Sequence, residues 1–198
     1  MHGVGWNMHK GRLEAFSDGV IAIIITIMVL DLKVPHDPES IALRPLLPVF
    51  ASYVMSFVYV GIYWNNHHHL MYATERINGR VLWANLHLMF WLSLLPFATA
   101  WMRENEFAPF PTATYGAVLL LCAVAFRILL TSILRCTGVN DRLRTALGRD
   151  WKGTVSMALY AAAIPLAFVQ QASSLAIYAL VALLWLIPDP RIEAMIDE

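Results

Sequence analysis

From Val20 to Leu30 the chain holds eleven consecutive residues of which only Thr26 is polar, and this run is one of six long apolar stretches. The others extend from about Ile41 to Trp64, Arg80 to Met102, Thr112 to Leu134, Trp151 to Gln170 and Ser173 to Ile187. A hydrocarbon core of ~30 Å takes about 20 helical residues to cross, so six crossings consume about 120 residues. In a chain of 198 residues that leaves short connections and no soluble domain. Composition agrees: 59% of residues are hydrophobic and 14% charged, where soluble domains average roughly half and a quarter. The expected fold is an all-α integral membrane protein, one six-helix domain over residues 1–198, with spans near 12–32, 41–64, 80–102, 112–134, 151–170 and 173–187.

Breakers set the ends of these spans. Val34 and Pro35 stop the first, Phe107 to Pro111 separates the third from the fourth, and Pro188 and Pro190 close the sixth. Pro96 falls inside the third, where a bend is expected, because membrane helices tolerate proline when neighbours satisfy the freed carbonyl. There is no strand alternation and no second copy of the opening segment. Lys10 and Arg12 before the first apolar run imitate a secretory leader, but Asp31-Leu32-Lys33-Val34-Pro35 has no small-x-small cleavage pattern, so the first helix is expected to be retained.

Basic residues orient the bundle, because Lys and Arg collect in the short cytoplasmic loops. Lys10, Arg12, Arg76, Arg80, Arg135, Arg142, Arg144, Arg149, Lys152 and Arg191 fall on the side of the termini, and only Lys33, Arg44 and Arg103 on the other. Both termini are therefore expected in the cytoplasm. A formal net charge of zero gives no support to nucleic-acid binding. Cys122 and Cys136 are expected to be unpaired thiols.

The first helix carries the anomaly. Asp18 sits a turn or two inside an apolar span, where a carboxylate costs a few kcal/mol and normally faces protein or water. At about 100° per residue, Phe16, Ile23, Ile27, Leu30 and Val34 form one stripe, with Ser17 and Asp18 roughly 120° to either side of Ile23. Hydropathy alone cannot single out that stripe, because Ile21, Ile24, Ile25 and Met28 make the other faces equally apolar.

The run R-L-E-A-F-S-D-G-V-I-A-I-I-I-T-I-M-V-L-D-L-K-V-P, Arg12 to Pro35, resembles the signature of the bacterial and endolysosomal potassium channel family called transmembrane protein 175. Its hallmark is the tripeptide formed here by Phe16, Ser17 and Asp18. The remaining helices agree in number, length and order. The resemblance implies a homotetramer of six-helix subunits whose first helices line a central pore, potassium ions as the permeant species, no cofactor, and a multi-pass location in a bacterial inner membrane among lipid. The carbonyl filter Thr-Val-Gly-Tyr-Gly of ordinary potassium channels does not occur in the sequence. By the same resemblance the constriction is a hydrophobic gate of aliphatic side chains, mapping onto Ile23, Ile27 and Leu30, with Ile23 the main restriction and a modest preference for potassium over sodium. Thr26 lies about 60° off the stripe, so its hydroxyl has two uses open to it: a place on the pore surface, or a bond back to the carbonyl of Ala22. Arg12, Phe16, Ser17 and Asp18 then form a structural network holding the first helix to its own subunit. Candidate partners are His67, His68 and His69 at the end of the second helix, and Trp83, Asn85 and His87 near the start of the third.

Two other classes compete. His67, His68, His69, Glu75 and His87 offer metal donors, but consecutive histidines on a helix diverge and no H-x-x-x-H pair exists, so no metal centre is expected. A secondary transporter would suit helices interrupted at Pro96 and Pro165, but no inverted pair of Gly-rich interruptions accompanies them. Arg127 reads as a snorkelling cation, and the Arg142, Arg144, Arg149 and Lys152 cluster as lipid contact. Trp64, Trp101, Trp151 and Trp185 read as interfacial belts, and Trp83 and Trp91 as packing. No nucleotide loop or nucleophile with a paired base is present, so the chain is not expected to be an enzyme.

Overall fold

A computed structural model describes residues 10–32, 34, 46–74, 76–136 and 150–187. Glu75, Lys33, Pro35, Arg44, Arg142, Arg144, Arg149, Pro188, Pro190 and Arg191 lie outside the described residues, as does the expected start of the second span. Seven helices are described: α1 Lys10–Leu30, α2 Leu47–Tyr72, α3 Gly79–Ser93, α4 Leu95–Glu104, α5 Pro109–Leu134, α6 Trp151–Leu166 and α7 Gln171–Leu186. Among the described residues four stretches are long and apolar enough to cross a membrane: Lys10–Leu30, Leu47–Tyr72, Gly79–Glu104 and Pro109–Leu134. The chain is an all-helical membrane protein.

The third expected span is α3 and α4 in series, broken at Leu94. Pro96 has no N–H for the carbonyl of Leu92 and its ring crowds that carbonyl. The Leu94 amide therefore turns to the carbonyl of Trp91 at 3.2 Å, and regular bonding resumes with Ala98 to Leu94 at 2.9 Å. The second helix continues two turns beyond Trp64, because Asn65 to His69 contain no breaker and Asn66 Nδ2 donates to the Ile62 carbonyl at 2.8 Å. The fifth span ends at Leu166, earlier than Gln170, where Pro165 weakens the last turn and the chain closes with Phe168 to Pro165 and Val169 to Leu166 bonds. With 16 residues each, α6 and α7 are ~24 Å long.

α5 is the hub of the bundle, packed against α3, α4, α6 and α7, while α1 lies at the edge on α2 and α3 with a lighter contact to α4. Hydroxyl groups tie the centre together. Ser56 Oγ stands 2.7 Å from Thr99 Oγ1 and 3.0 Å from Tyr115 Oη, joining α2, α4 and α5. Tyr178 Oη donates to the Thr112 carbonyl at 3.2 Å. That hydroxyl passes so close to Gly116 that a Cβ there would overlap it, so any larger residue at this crossing must displace the tyrosine. Among the described residues no buried side-chain nitrogen or oxygen lacks a hydrogen-bond partner, as a membrane interior demands.

Candidate functional site

α1 divides into two faces. Leu13, Ser17, Ile21, Ile24 and Met28, spaced by three and four residues, are its buried residues and form the side turned to α2 and α3. On the other side Phe16 is 49% exposed, Ile23 58%, Ile27 46% and Leu30 79%. Lipid tails are as apolar as leucine, so burying the aliphatic face gains little hydrophobic energy, and packing and hydrogen bonds must hold the helix in place.

Those bonds come from the motif. Ser17, fully buried, donates through Oγ to the Leu13 carbonyl at 2.8 Å and accepts from Asn85 Nδ2 of α3 at 2.9 Å. Asn85 Oδ1 stands 2.8 Å from Nε2 of buried His67 on α2. The amide nitrogen is committed to Ser17, so Oδ1 is the acceptor facing His67, and the imidazole must carry its proton on Nε2. Asp18 is exposed, and its Oδ1 accepts from Trp64 Nε1 of α2 at 3.0 Å. Two neighbouring side chains of α1 thus reach two different helices.

His68 stacks on Trp64 with ring centroids 6.0 Å apart, and His69 meets His68 edge-on at 5.7 Å. The other expected members lie elsewhere. Trp83 and His87 are two residues to either side of Asn85, about 200° around α3, so with Asn85 turned inward they face outward. Trp83 is exposed, and His87 Nε2 accepts from Trp91 Nε1 at 2.8 Å on that outer face. Phe16 stands with Ile23 on the outward stripe, and exposed Arg12 makes no hydrogen bond or ion pair among the described residues. Trp64 is the member that sequence reasoning missed. Its signal was spacing, because Trp64, His67 and His68 share one face of a helix.

Thr26 Oγ1 bonds back to the carbonyls of Ala22 at 3.1 Å and Ile23 at 3.0 Å. Beside the stripe a groove of about 540 Å³ opens between α1 and the α3/α4 break, lined by Val20, Ile23, Ile27, Asp31, Pro96 and Phe97 among others. No group of three or more metal-binding side chains occurs among the described residues. The His-rich segment is taken up instead by the amide and ring contacts above.

Comparison with known proteins adds to this geometry. The family model described as endosomal/lysosomal potassium channel TMEM175 matches residues 12–96. A potassium channel of Chryseobacterium sp. (strain P1-3) is 53% identical over 96% of this chain and all of its own length. A potassium channel of Streptomyces collinus is 34% identical over 93% of this chain and 97% of its own. The endosomal/lysosomal proton channel TMEM175 of Rattus norvegicus is 32% identical over 60% of this chain, and only 26% of that protein is covered. Among solved structures, the crystal structure of a lysosomal potassium-selective channel TMEM175 homolog from Chamaesiphon minutus superposes with a TM-score of 0.78 at 27% identity, over 90% of this chain and 96% of that one.

Proposed function

The chain belongs to the family of the endosomal/lysosomal potassium channel TMEM175, and from that premise we propose that it is the subunit of a potassium-permeable channel in which four copies of α1 surround a central pore. The matched relatives are named as ion channels, not enzymes. The observation that carries the reading is the stripe of Ile23, Ile27 and Leu30, three large aliphatic side chains left 46–79% exposed within the subunit on a helix whose other side is anchored by Ser17 and Asp18. Closed rotational symmetry would bring four such stripes face to face and set rings of side chains at three levels.

Such rings supply no oxygen to replace an ion's water shell. They conduct while wide enough to stay wet and close by dewetting, and Ile23 is the main restriction. Potassium holds its water less tightly than sodium, so an apolar collar favours it modestly. Thr26 has its hydroxyl hydrogen engaged with backbone carbonyls and offers a passing ion at most oxygen lone pairs. Both termini face the cytoplasm of a bacterial cell, with the protein in its inner membrane, and no cofactor takes part.

Purified protein in planar bilayers, with potassium on one side and sodium on the other, is expected to show unitary currents whose reversal potential favours potassium. Ile23→Asn is expected to shift that potential toward zero. An unchanged reversal potential in the variant refutes the collar, and currents without unitary steps refute the channel.

The names of the animal relatives favour a second reading, proton permeation. A pH gradient across bilayers with equal potassium on both sides separates the two: a reversal potential that follows the proton gradient supports proton flux, and one that stays at zero opposes it.

A further inference from the structure

The C-terminal end of α1 carries carbonyls that its own helix cannot satisfy, as every helix does in its last turn. Leu32 closes one of them by donating to the Val29 carbonyl at 3.1 Å. The next contact comes from another helix: Arg103 Nη1 of α4 donates to the Asp31 carbonyl at 2.7 Å. The Arg103 side chain is only 10% exposed, and its one ion-pair partner among the described residues, Glu104, stands 3.6 Å from Nη2 and is itself exposed. A nearly buried guanidinium thus spends its shortest bond on a backbone oxygen one residue beyond Leu30. A cation at this place is favoured twice, by the charge-assisted bond and by the negative end of the helix dipole.

We propose that Arg103 is the positioning residue for the outer end of α1, holding Leu30 at its depth and angle, and that it links the pore helix to the break in the third span. This rests on the reading that α1 lines the pore. α4 is joined to α3 through the single non-helical residue Leu94, and Pro96, two residues further on, leaves the break without a full set of helix bonds. Thr99 pins the middle of α4 to Ser56 of α2 at 2.7 Å. Arg103, one turn further, is the point at which α4 grips α1. A change in the α3/α4 angle is therefore carried to Leu30, while the opposite end of α1 stays fixed by Ser17 and Asp18. No other hydrogen bond between α4 and α1 is present among the described residues.

The test uses Leu30→Cys in the full chain, reconstituted in planar bilayers, with a charged methanethiosulfonate added from the outer side. Protein retaining only Cys122 and Cys136 serves as the control. Block of the potassium current in the cysteine variant and not in the control supports the premise that α1 lines the pore; no block overturns that premise and the inference with it. Arg103→Gln and Arg103→Lys are then added separately. Loss of a charge-assisted bond of this kind changes the held-to-released ratio about tenfold or more. The rate of block is expected to change by about that factor in Arg103→Gln and to stay within about threefold of the parent in Arg103→Lys. Block at the parent's rate in Arg103→Gln overturns the inference even though the premise stands. An equal change in both variants overturns it too, because side-chain volume and not the charged bond would then be responsible. If Arg103→Gln does not assemble alone, oligomers carrying a single tagged Gln subunit are measured, and a uniform block rate at all their sites refutes the inference.

Discussion

Replacing Asn85 by leucine deletes the one side chain among the described residues of α3 that bonds to both α1 and α2. Asn85 is fully buried, and it donates to Ser17 at 2.9 Å and faces His67 Nε2 at 2.8 Å. Ser17 survives the change with its bond to the Leu13 carbonyl intact, so that side loses one hydrogen bond, about 1 kcal/mol net. His67 fares worse. Its Nε2–H is left buried with no acceptor, which costs about 1–3 kcal/mol, so Asn85→Leu should destabilise each subunit by about 2–4 kcal/mol. Leucine keeps the branched outline of asparagine but is bulkier, so overpacking at this buried position adds to that loss. Denaturant unfolding of the purified protein in micelles measures the loss. A cycle with His67→Phe isolates its cause: the double variant has no orphan donor and is expected to be more stable than the sum of the single losses by about 1 kcal/mol or more. Strict additivity, or a loss within about 0.5 kcal/mol of zero for Asn85→Leu, would refute the account of α1 as a helix held by polar bonds.

Two further outcomes follow from the same structure. Asp18→Asn weakens the acceptor for Trp64 at 3.0 Å and is expected to reduce the yield of the proposed tetramer on size-exclusion chromatography more than it alters ion preference; a stable tetramer with shifted selectivity would contradict this. Gly116→Ala drives a methyl group into the Tyr178 hydroxyl and is expected to cost about 1–3 kcal/mol by overpacking; Tyr178→Phe, which removes that hydroxyl, should recover part of the loss, and no recovery would show that the overlap is not the cause.

Much of this protein was legible from its residues, and the rest was not, for reasons that can be named. Asp18 announced a site because an acid in an apolar helix is costly wherever it is placed. Spacing put Ser17 and Asp18 away from Ile23, and the observed helix keeps that relation, since helical angles are local geometry. The choice among candidate partners was another matter. His67, His68, His69, Trp83, Asn85 and His87 are all polar or amphipathic and all near one end of the bundle. The rotation of α2 and α3 against α1 selected Asn85, His67 and Trp64, and left Trp83 and His87 outside.

The six apolar runs by themselves determined that the chain spans a membrane as helices, because a backbone in lipid must satisfy its own hydrogen bonds. They also fixed the bend near Pro96, because a missing N–H is a property of one residue. Which face of α1 is buried could not be read from the sequence, because isoleucine surrounds that helix on every side and hydropathy has no preference among equals. Only the packing of α2 and α3 decided it, and in doing so left Ile23, Ile27 and Leu30 outward and brought Arg103, 72 residues distant in the chain, onto the carbonyl of Asp31.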